Sequence, residues 1–248
     1  CVTTDKCYRN NDSGIAFRET DPLGCRDPYG GSKAAAELAI RSYRETYFNR
    51  IHGVQVASAR AGNVIGGGDW TPFALMPDLI RSLSAGDPVP IRNPDSIRPW
   101  QHVLQALDGY LTLAATMAES PDTTFCDAWN FGPFPGQSVS VRQVADWVIQ
   151  AWGKGRWEYV PEEELSPEAP QLTLAVDKAV SYLDWRPVWN TYQATLRTVE
   201  WYLDWFEGES ASEICKNQIR AYQLDRDDCM TALLAHVGKD QNEEVERL

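Results

Sequence analysis

The stretch Asp27-Pro28-Tyr29-Gly30-Gly31-Ser32-Lys33-Ala34 decides the fold, because it begins a long helix between two predicted strands. Its proline suits a first helical turn, where the missing N–H is no loss, and the aspartate before it suits the N-cap. Tyr29 and Lys33 are four residues apart, so they lie on one helix face, one turn apart. A positive charge beside a phenol favours the phenolate, which makes Tyr29 a candidate base. The same spacing is also typical of a surface pair on an amphipathic helix.

The segments that flank this helix predict parallel strands. Residues 1–4 have the pattern of a strand end, the helix extends to about Asn49, and residues 54–60 alternate as a strand does. Strand, helix and strand form a βαβ unit, which implies a parallel sheet with a right-handed crossover. The glycine-rich loop 61–70 follows the second strand, at the edge where open α/β sheets bind ligands. These features predict an α/β fold.

The rest of the chain continues to alternate between predicted strands and helices. The apolar residues of the long helix are Ala34, Leu38, Ile40, Tyr43 and Tyr47, a mostly helical pattern. Further helices are predicted at 73–85, 103–118, 139–152, 178–183, 191–206 and 211–224, and strands at 89–92, 128–131 and 157–160. An acidic turn is predicted at 161–164. The tail from Asp225 is charged, and we expect its end from Lys239 to be disordered.

Composition excludes several classes of function. The chain has 248 residues and a formal net charge of −12, which argues against a nucleic-acid surface but not against a small phosphorylated ligand. No apolar run reaches the roughly 18 residues that a membrane span needs. The six cysteines and three histidines show no metal-ligand spacing, so we expect reduced thiols in a cytoplasmic protein and no metal site.

Several motifs occur together in the order that one family shows. Three of them are Thr4-Asp5-Lys6, Ile91-Arg92-Asn93-Pro94 and Ile97-Arg98-Pro99-Trp100-Gln101-His102-Val103; the others lie at 27–33, 59–70 and 129–133. With these motifs, residues 1–224 resemble the CDP-glucose 4,6-dehydratases of the extended short-chain dehydrogenase/reductase superfamily. The Tyr-x-x-x-Lys pair alone would indicate only the superfamily, whereas the three quoted motifs indicate the CDP-glucose branch.

This resemblance implies a division of the chain. Residues 1–66 would be the C-terminal half of a doubly wound, parallel-sheet (Rossmann-type) domain, whose sheet a strand near 127–131 rejoins. Residues 67–224 would form a smaller, mostly helical α/β domain that binds the nucleotide sugar, and 225–248 a charged, partly disordered tail. Such enzymes begin with a glycine-rich βαβ unit that holds most of the NAD. Because the sequence lacks this unit, we expect a fragment or a truncated gene product that, alone, binds NAD poorly and does not turn over CDP-glucose.

The implied reaction is loss of water from CDP-glucose to give the 4-keto-6-deoxy sugar, with bound NAD reduced and reoxidised in one turnover. Tyr29 would take the proton of the sugar 4-hydroxyl, Lys33 would favour the phenolate and hold the nicotinamide ribose, and Thr4 would bond the 4-oxygen. Asp5 would be the acid at the C6 hydroxyl, if burial raises its pKa. Lys6 would be the base at C5, or would only orient a water or the Asp5 proton.

The resemblance also implies the substrate contacts. Asn63 would contact the sugar or diphosphate, Arg98 would clamp the diphosphate through its guanidinium, and Asn130 would lie near the ribose or diphosphate. Arg92 would line the cytosine pocket, although an exposed strand arginine would look the same. A homo-oligomer without membrane or nucleic-acid partners, acting in deoxysugar and lipopolysaccharide O-antigen biosynthesis, is expected.

Two alternatives stay open. A nucleotide-sugar 4-epimerase needs Tyr29 and Lys33 but no acid for losing water, so Asp5 and Lys6 discriminate against it. A non-catalytic remnant that binds a nucleotide sugar or a partner subunit would also fit a chain without the first βαβ unit.

Overall fold

Helices and strands alternate along most of the computed structural model, which describes residues 1–48, 53–120, 123–161 and 171–245. Within these residues the helices are α1 Pro28–Thr46, α2 Leu75–Ala85, α3 Val103–Glu119, α4 Val141–Trp152, α5 Asp177–Leu183, α6 Thr191–Phe206 and α7 Ala211–Val245. The strands are β1 Ser58–Ala61, β2 Asn63–Ile65, β3 Val89–Ile91, β4 Ile97–Arg98, β5 Trp100–His102, β6 Ala128–Phe131, β7 Val139–Ser140 and β8 Trp157–Tyr159. A short 3₁₀ helix covers Asp5–Cys7.

Helix α1 begins where the sequence predicts. The carboxylate of Asp27 accepts a hydrogen bond from the backbone N–H of Gly30 at 2.8 Å, and Pro28 occupies the first turn. This cap satisfies one of the donors that a helix start leaves unpaired. The helix ends at Thr46; the predicted end at Asn49 lies outside the described residues.

The predicted βαβ unit is present. Val2 forms a parallel bridge with Ala59 of β1, and the backbone N–H of Thr3 donates to the Ala59 carbonyl at 2.8 Å. On its other side β1 pairs in parallel with β6, with Ser58 opposite Ala128. All four positions of both strands are buried, as expected for a parallel sheet covered on both faces. The α/β prediction is therefore confirmed.

The strands β2, β4, β5 and β7 were not predicted, whereas β3 and β8 lie at the predicted 89–92 and 157–160. The predicted loop 61–70 contains β2, which pairs in parallel with β5, where the sequence predicts only the approach to a helix. β3 pairs in parallel with β8, and β4 pairs antiparallel with β7. Strands of two or three residues are too short to show an alternating pattern, so periodicity did not detect these four.

A core of aromatic and aliphatic side chains holds β1 and β6 against α3 and α5. Phe131 of β6 meets Trp185 edge to face, with the ring centroids 5.0 Å apart. Burying side chains of this size contributes about 1.5–3 kcal/mol each. The buried members of the cluster are Ala57, Ala59, Leu113, Trp129, Phe131, Val176, Ala179, Leu183 and Trp185.

The chain forms two compact units, Cys1–Leu203 and Asp204–Leu248. The predicted boundary at residue 66 lies inside the first unit, and that division stays a prediction. The helix predicted at 211–224 is longer, because α7 continues from Ala211 through Asp225 to Val245. Residues 211–245 contain no proline, and their Glu, Lys, Arg and Ala residues favour helix, while the disorder expected from Lys239 stays a prediction. Residues 246–248 and, of the predicted acidic turn, residues 162–164 lie outside the described part.

The described residues show neither a membrane-spanning helix nor a cluster of metal ligands. No helix in these ranges combines the length and the apolarity that crossing a bilayer requires. In the same ranges, no group of three or more His, Cys, Asp or Glu side chains lies together as metal ligands would.

Candidate functional site

The predicted triplet Thr4-Asp5-Lys6 forms a tight turn directly after the first strand. Thr4 is extended and caps the 3₁₀ helix: its Oγ1 accepts from the backbone N–H of Lys6 at 3.4 Å. The same hydroxyl donates to Asp5 Oδ1 at 3.1 Å. The three residues of the triplet therefore form one turn, because Thr4 caps the 3₁₀ helix that begins at Asp5.

Asp5 is a buried carboxyl whose charge is poorly compensated. Only 1% of the residue is exposed, and its Oδ2 has no hydrogen-bond partner among the described residues. Burial raises the pKa of Asp5, although Lys6, Thr4 and Arg98 act to lower it. The Nζ of Lys6 lies 3.8 Å from Asp5 Oδ1, too far for a strong hydrogen bond. A raised pKa favours the protonated carboxyl, which is the form that a general acid needs.

Tyr29 is exposed in the first turn of α1, and Lys33, which is half-buried, lies one turn further along the helix. Tyr29 is 53% exposed, and the Lys33 Nζ lies 5.5 Å from the centroid of its ring. The two side chains therefore share one helix face, as their spacing predicts, and both are open to a ligand.

A glycine that the sequence analysis overlooked holds α1 against the triplet. A Cβ at Gly30 would lie 2.7 Å from the Lys6 carbonyl oxygen and 2.4 Å from the Cys25 Cβ. Only glycine permits this approach, which places Tyr29 beside the Thr4-Asp5-Lys6 turn. The signal was available, because a glycine inside a helix is unfavourable and so indicates a packing requirement.

Glu37 holds α1 against β1 through buried hydrogen bonds. It is 2% exposed, and its Oε2 accepts hydrogen bonds from Arg60 Nη2 at 2.7 Å and from Ser58 Oγ at 2.9 Å. Thr3 Oγ1 donates to the other carboxylate oxygen. Burial acts to raise the pKa of Glu37, but the hydrogen bonds and the charge of Arg60 hold it below its ordinary value. One carboxylate thus joins α1, β1 and the strand that leads into the triplet.

Asn130, a predicted contact of the ribose or diphosphate, lies in the core and not in the lining of the cavity described below. The residue is completely buried in β6, and its Oδ1 accepts from the Tyr8 hydroxyl at 2.6 Å. Its Nδ2 donates to the carbonyls of Phe17 at 2.9 Å and of Ala175 at 3.1 Å. With its amide used inside the core, Asn130 supports the sheet, and the structure does not bring it to a ligand.

Four predicted site residues line one cavity of about 1060 Å³: Lys6, Asn63, Arg92 and Arg98. Arg98 is 8% exposed and donates to the Ile97 carbonyl at 2.9 Å, whereas Arg92 is exposed. The Oδ1 of Asn63 is buried and finds no partner within the described ranges. The lining described by the structure includes Lys6 of the triplet but not Thr4, Asp5, Tyr29 or Lys33.

The charge of this cavity differs from that of the whole chain. Its lining carries four cationic residues (Lys6, Arg81, Arg92 and Arg98) and two acidic ones (Asp69 and Asp78), although the chain has a net charge of −12. Arg81 is paired with Asp78. The local excess of positive charge suits an anionic ligand, and the arginines can give phosphate two parallel bonds.

His102, which follows the Ile97–Gln101 motif, is structural. Its Nδ1 accepts from the backbone N–H of Leu104 at 3.2 Å and caps α3, as the sequence predicts for a residue at a helix start. Burial lowers its pKa to about 4, so the imidazole is neutral near pH 7.

The chain matches one family model and is similar to two curated enzymes. A family model described as "NAD dependent epimerase/dehydratase family" matches residues 2–132. A CDP-glucose 4,6-dehydratase from Salmonella typhimurium is 40% identical over 225 residues, which are 89% of this chain and 62% of that protein. A dTDP-glucose 4,6-dehydratase from Streptomyces antibioticus is 28% identical over 211 residues, which are 83% of this chain and 58% of that protein.

Solved structures agree on the fold. A dTDP-glucose 4,6-dehydratase from Streptomyces venezuelae, crystallised with NAD, aligns with a TM-score of 0.69 and 25% identity over 82% of this chain and 59% of that chain. A Thermus thermophilus UDP-glucose 4-epimerase with NAD aligns with a TM-score of 0.67 and 24% identity over 84% of this chain and 63% of that chain, which supports the fold alone. The chain spans about three fifths of the length of these relatives.

Proposed function

Because the chain belongs to the NAD dependent epimerase/dehydratase family, we propose that it carries the substrate site and the acid of a CDP-glucose 4,6-dehydratase. The reaction would be the loss of water from CDP-D-glucose to give CDP-4-keto-6-deoxy-D-glucose. The expected cytoplasmic location, role in O-antigen biosynthesis and homo-oligomeric state belong to this proposal; the location rests on the scattered cysteines, and the other two rest on resemblance.

The residues present suit the nicotinamide end of NAD. Tyr29 is 53% exposed at the surface of α1, and the Lys33 ammonium lies on the same face, so both can bond a ribose hydroxyl. NAD, when bound, supplies the oxidation at C4 of the sugar and the later reduction. Tyr29 would take the proton of the 4-hydroxyl, and Lys33 would stabilise the phenolate that this needs. Thr4 would hydrogen-bond the 4-oxygen.

The elimination step needs only groups of this chain. A ketone at C4 acidifies the C5–H bond, so a base can remove that proton while the C6–O bond breaks. Asp5 would protonate the departing hydroxyl, which leaves as water, and a C5=C6 double bond forms. Lys6 lines the cavity beside Asp5 and would take the C5 proton, or would orient the proton of Asp5.

The cavity would hold the nucleotide sugar by its charges. Arg98 would clamp the diphosphate, Asn63 would offer its unpaired Oδ1 to the sugar or to a ribose hydroxyl, and Arg92 would line the base pocket. The ligand class follows from the cationic lining, whereas the choice of cytosine rests on the 40% identical relative.

The observation that carries the proposal is the buried carboxyl of Asp5. A 4-epimerase has no need of an acid beside the sugar C6 hydroxyl, because no water leaves in its reaction. In this chain, burial raises the pKa of the only carboxyl in the predicted triplet, and that carboxyl adjoins a cavity suited to a phosphorylated ligand. A dehydratase therefore fits better than an epimerase.

The elimination can be tested without NAD. The purified chain is given CDP-4-ketoglucose in deuterated buffer, and proton NMR follows both the exchange at C5 and the appearance of the C5=C6 product. We expect elimination by the wild type, and its loss in Asp5→Asn but not in Asp228→Asn, a change at an exposed position. If Lys6 is the base, Lys6→Met also stops the C5 exchange.

Three outcomes would contradict the proposal. Exchange at C5 without elimination would exclude a dehydratase. The absence of both in the wild type would favour the non-catalytic remnant. Elimination at the normal rate in Asp5→Asn would assign the acid to another residue.

A further inference from the structure

Phe73 has a backbone conformation that a bulky residue rarely adopts. Its φ is +64°, and in the described part of the chain only Asp12 and Asp184 share a positive φ among residues other than glycine. Aspartate tolerates this region because its short side chain can bond the local backbone, whereas phenylalanine gains no such bond. An outlier of this kind is a reason to look for a function.

The side chain of Phe73 is also unusually placed. It is 87% exposed, although it lies just before α2 and lines the cavity of the candidate site. The other aromatic residue that the described lining contains, Trp100, is 5% exposed and cannot offer a ring face.

The groups around the cavity define what such a ring could contact. Arg98 and Lys6 supply positive charge suited to phosphates, and Arg92 follows β3 in the same lining. A ligand that carries phosphates and a flat ring would use both features. Stacking on an aromatic side chain suits every nucleobase, because each has a π face.

We propose that Phe73 is the stacking platform for the base of the nucleotide sugar, held outward by its left-handed backbone. This inference rests on the proposed function, since it places the base at Phe73 and the diphosphate at Arg98. It adds a residue that determines affinity for the nucleoside part, with little preference among bases.

The test compares ligands with and without a base. Calorimetric titrations of the full chain use CDP, UDP and inorganic pyrophosphate, with Phe73→Ala and Phe73→Trp as variants. We expect Phe73→Ala to bind CDP and UDP about 5- to 100-fold more weakly, because it loses the binding free energy that one stacked base contributes. Its affinity for pyrophosphate should stay within about 2-fold of the wild type, and Phe73→Trp should bind CDP as the wild type does.

The outcomes separate this inference from the proposed function. If the wild type binds CDP and Phe73→Ala binds it equally well, the stacking role is wrong and the nucleotide-sugar site stands. An equal loss of pyrophosphate and CDP in Phe73→Ala would also overturn the stacking role, because the defect would then not concern the base. If the wild type binds neither CDP nor pyrophosphate, both proposals fail.

Discussion

Glu37 of α1 and Arg60 of β1 form a buried ion pair, with Arg60 Nη2 donating to Glu37 Oε2 at 2.7 Å. The two side chains are 2% and 4% exposed. Arg60 also donates to the Tyr8 hydroxyl at 2.9 Å, and Tyr8 in turn donates to Asn130. The helix that carries Tyr29 is thus tied to the sheet through polar groups, in addition to the apolar packing of Ala34.

The first prediction concerns this ion pair. Glu37→Gln leaves Arg60 without its counter-charge in the core, so we expect a loss of about 3–5 kcal/mol in the free energy of unfolding. Urea denaturation measures it. The matched control is Glu45→Gln, which removes the exposed partner of Arg41, and it should cost less than about 0.5 kcal/mol. Equal effects of the two changes would contradict the role given to Glu37.

The second prediction separates two adjacent glycines of α1. A methyl group at Gly30 would meet Lys6 and Cys25, so Gly30→Ala should destabilise the chain by about 1–3 kcal/mol. A Cβ at Gly31 would meet no other group within 4 Å in the described structure, so Gly31→Ala should stabilise it by about 0.5–1 kcal/mol. Thermal denaturation of both variants gives the sign. A stabilised Gly30→Ala would show that α1 does not lie against the triplet.

The third prediction uses the raised pKa of Asp5. Below the ordinary value of 3.8 the carboxyl is protonated in both the folded and the unfolded chain. As pH rises, the unfolded chain releases the proton first, while the folded chain keeps it until its raised pKa, so stability falls through this window. Asp5→Asn should therefore unfold at a higher urea concentration than the wild type near pH 7, and the gain should vanish below about pH 4. A difference that does not change with pH would show that Asp5 titrates normally.

The fourth prediction concerns His102, whose pKa burial lowers from 6.5 to about 4. The unfolded chain takes up a proton first as pH falls, so stability that is present above pH 6.5 is lost between 6.5 and about 4. At about 1.4 kcal/mol per pKa unit, this loss amounts to about 3 kcal/mol. The variant His102→Asn keeps a capping group but cannot titrate, so its unfolding free energy should depend less on pH in that range. An unchanged pH dependence would assign the slope to other groups.

The sequence allowed the βαβ unit, the start of α1 and the chemistry of the triplet to be predicted. Capping and the period of strands and helices are local properties, so Asp27, Pro28 and the first two strands could be placed from neighbouring residues alone. The position of Asp5 beside Lys6 followed from a motif, and its burial confirmed the condition on its pKa.

Local patterns did not predict which face of α1 is buried. Its apolar pattern includes Leu38, Tyr43 and Tyr47, which are 46%, 57% and 57% exposed, whereas Glu37 is buried. Glu37 can be buried because Arg60 of β1, more than 20 positions away in the sequence, supplies its counter-charge. No local pattern contains that information. Asn130 shows the same limit, since its three partners come from distant loops.

The most direct test of the proposed nucleotide-sugar site is a calorimetric titration of the chain with CDP-glucose, compared between the wild type, Arg98→Ala and Arg41→Ala. Arg98 lines the cavity, whereas Arg41 is an exposed residue of α1 that does not appear in the described lining. We predict saturable binding by the wild type and by Arg41→Ala, and binding at least about 10-fold weaker in Arg98→Ala, as expected when a charge-assisted contact of about 1.5–3 kcal/mol is removed. Binding that is absent in the wild type, or equal in all three proteins, would contradict the nucleotide-sugar site.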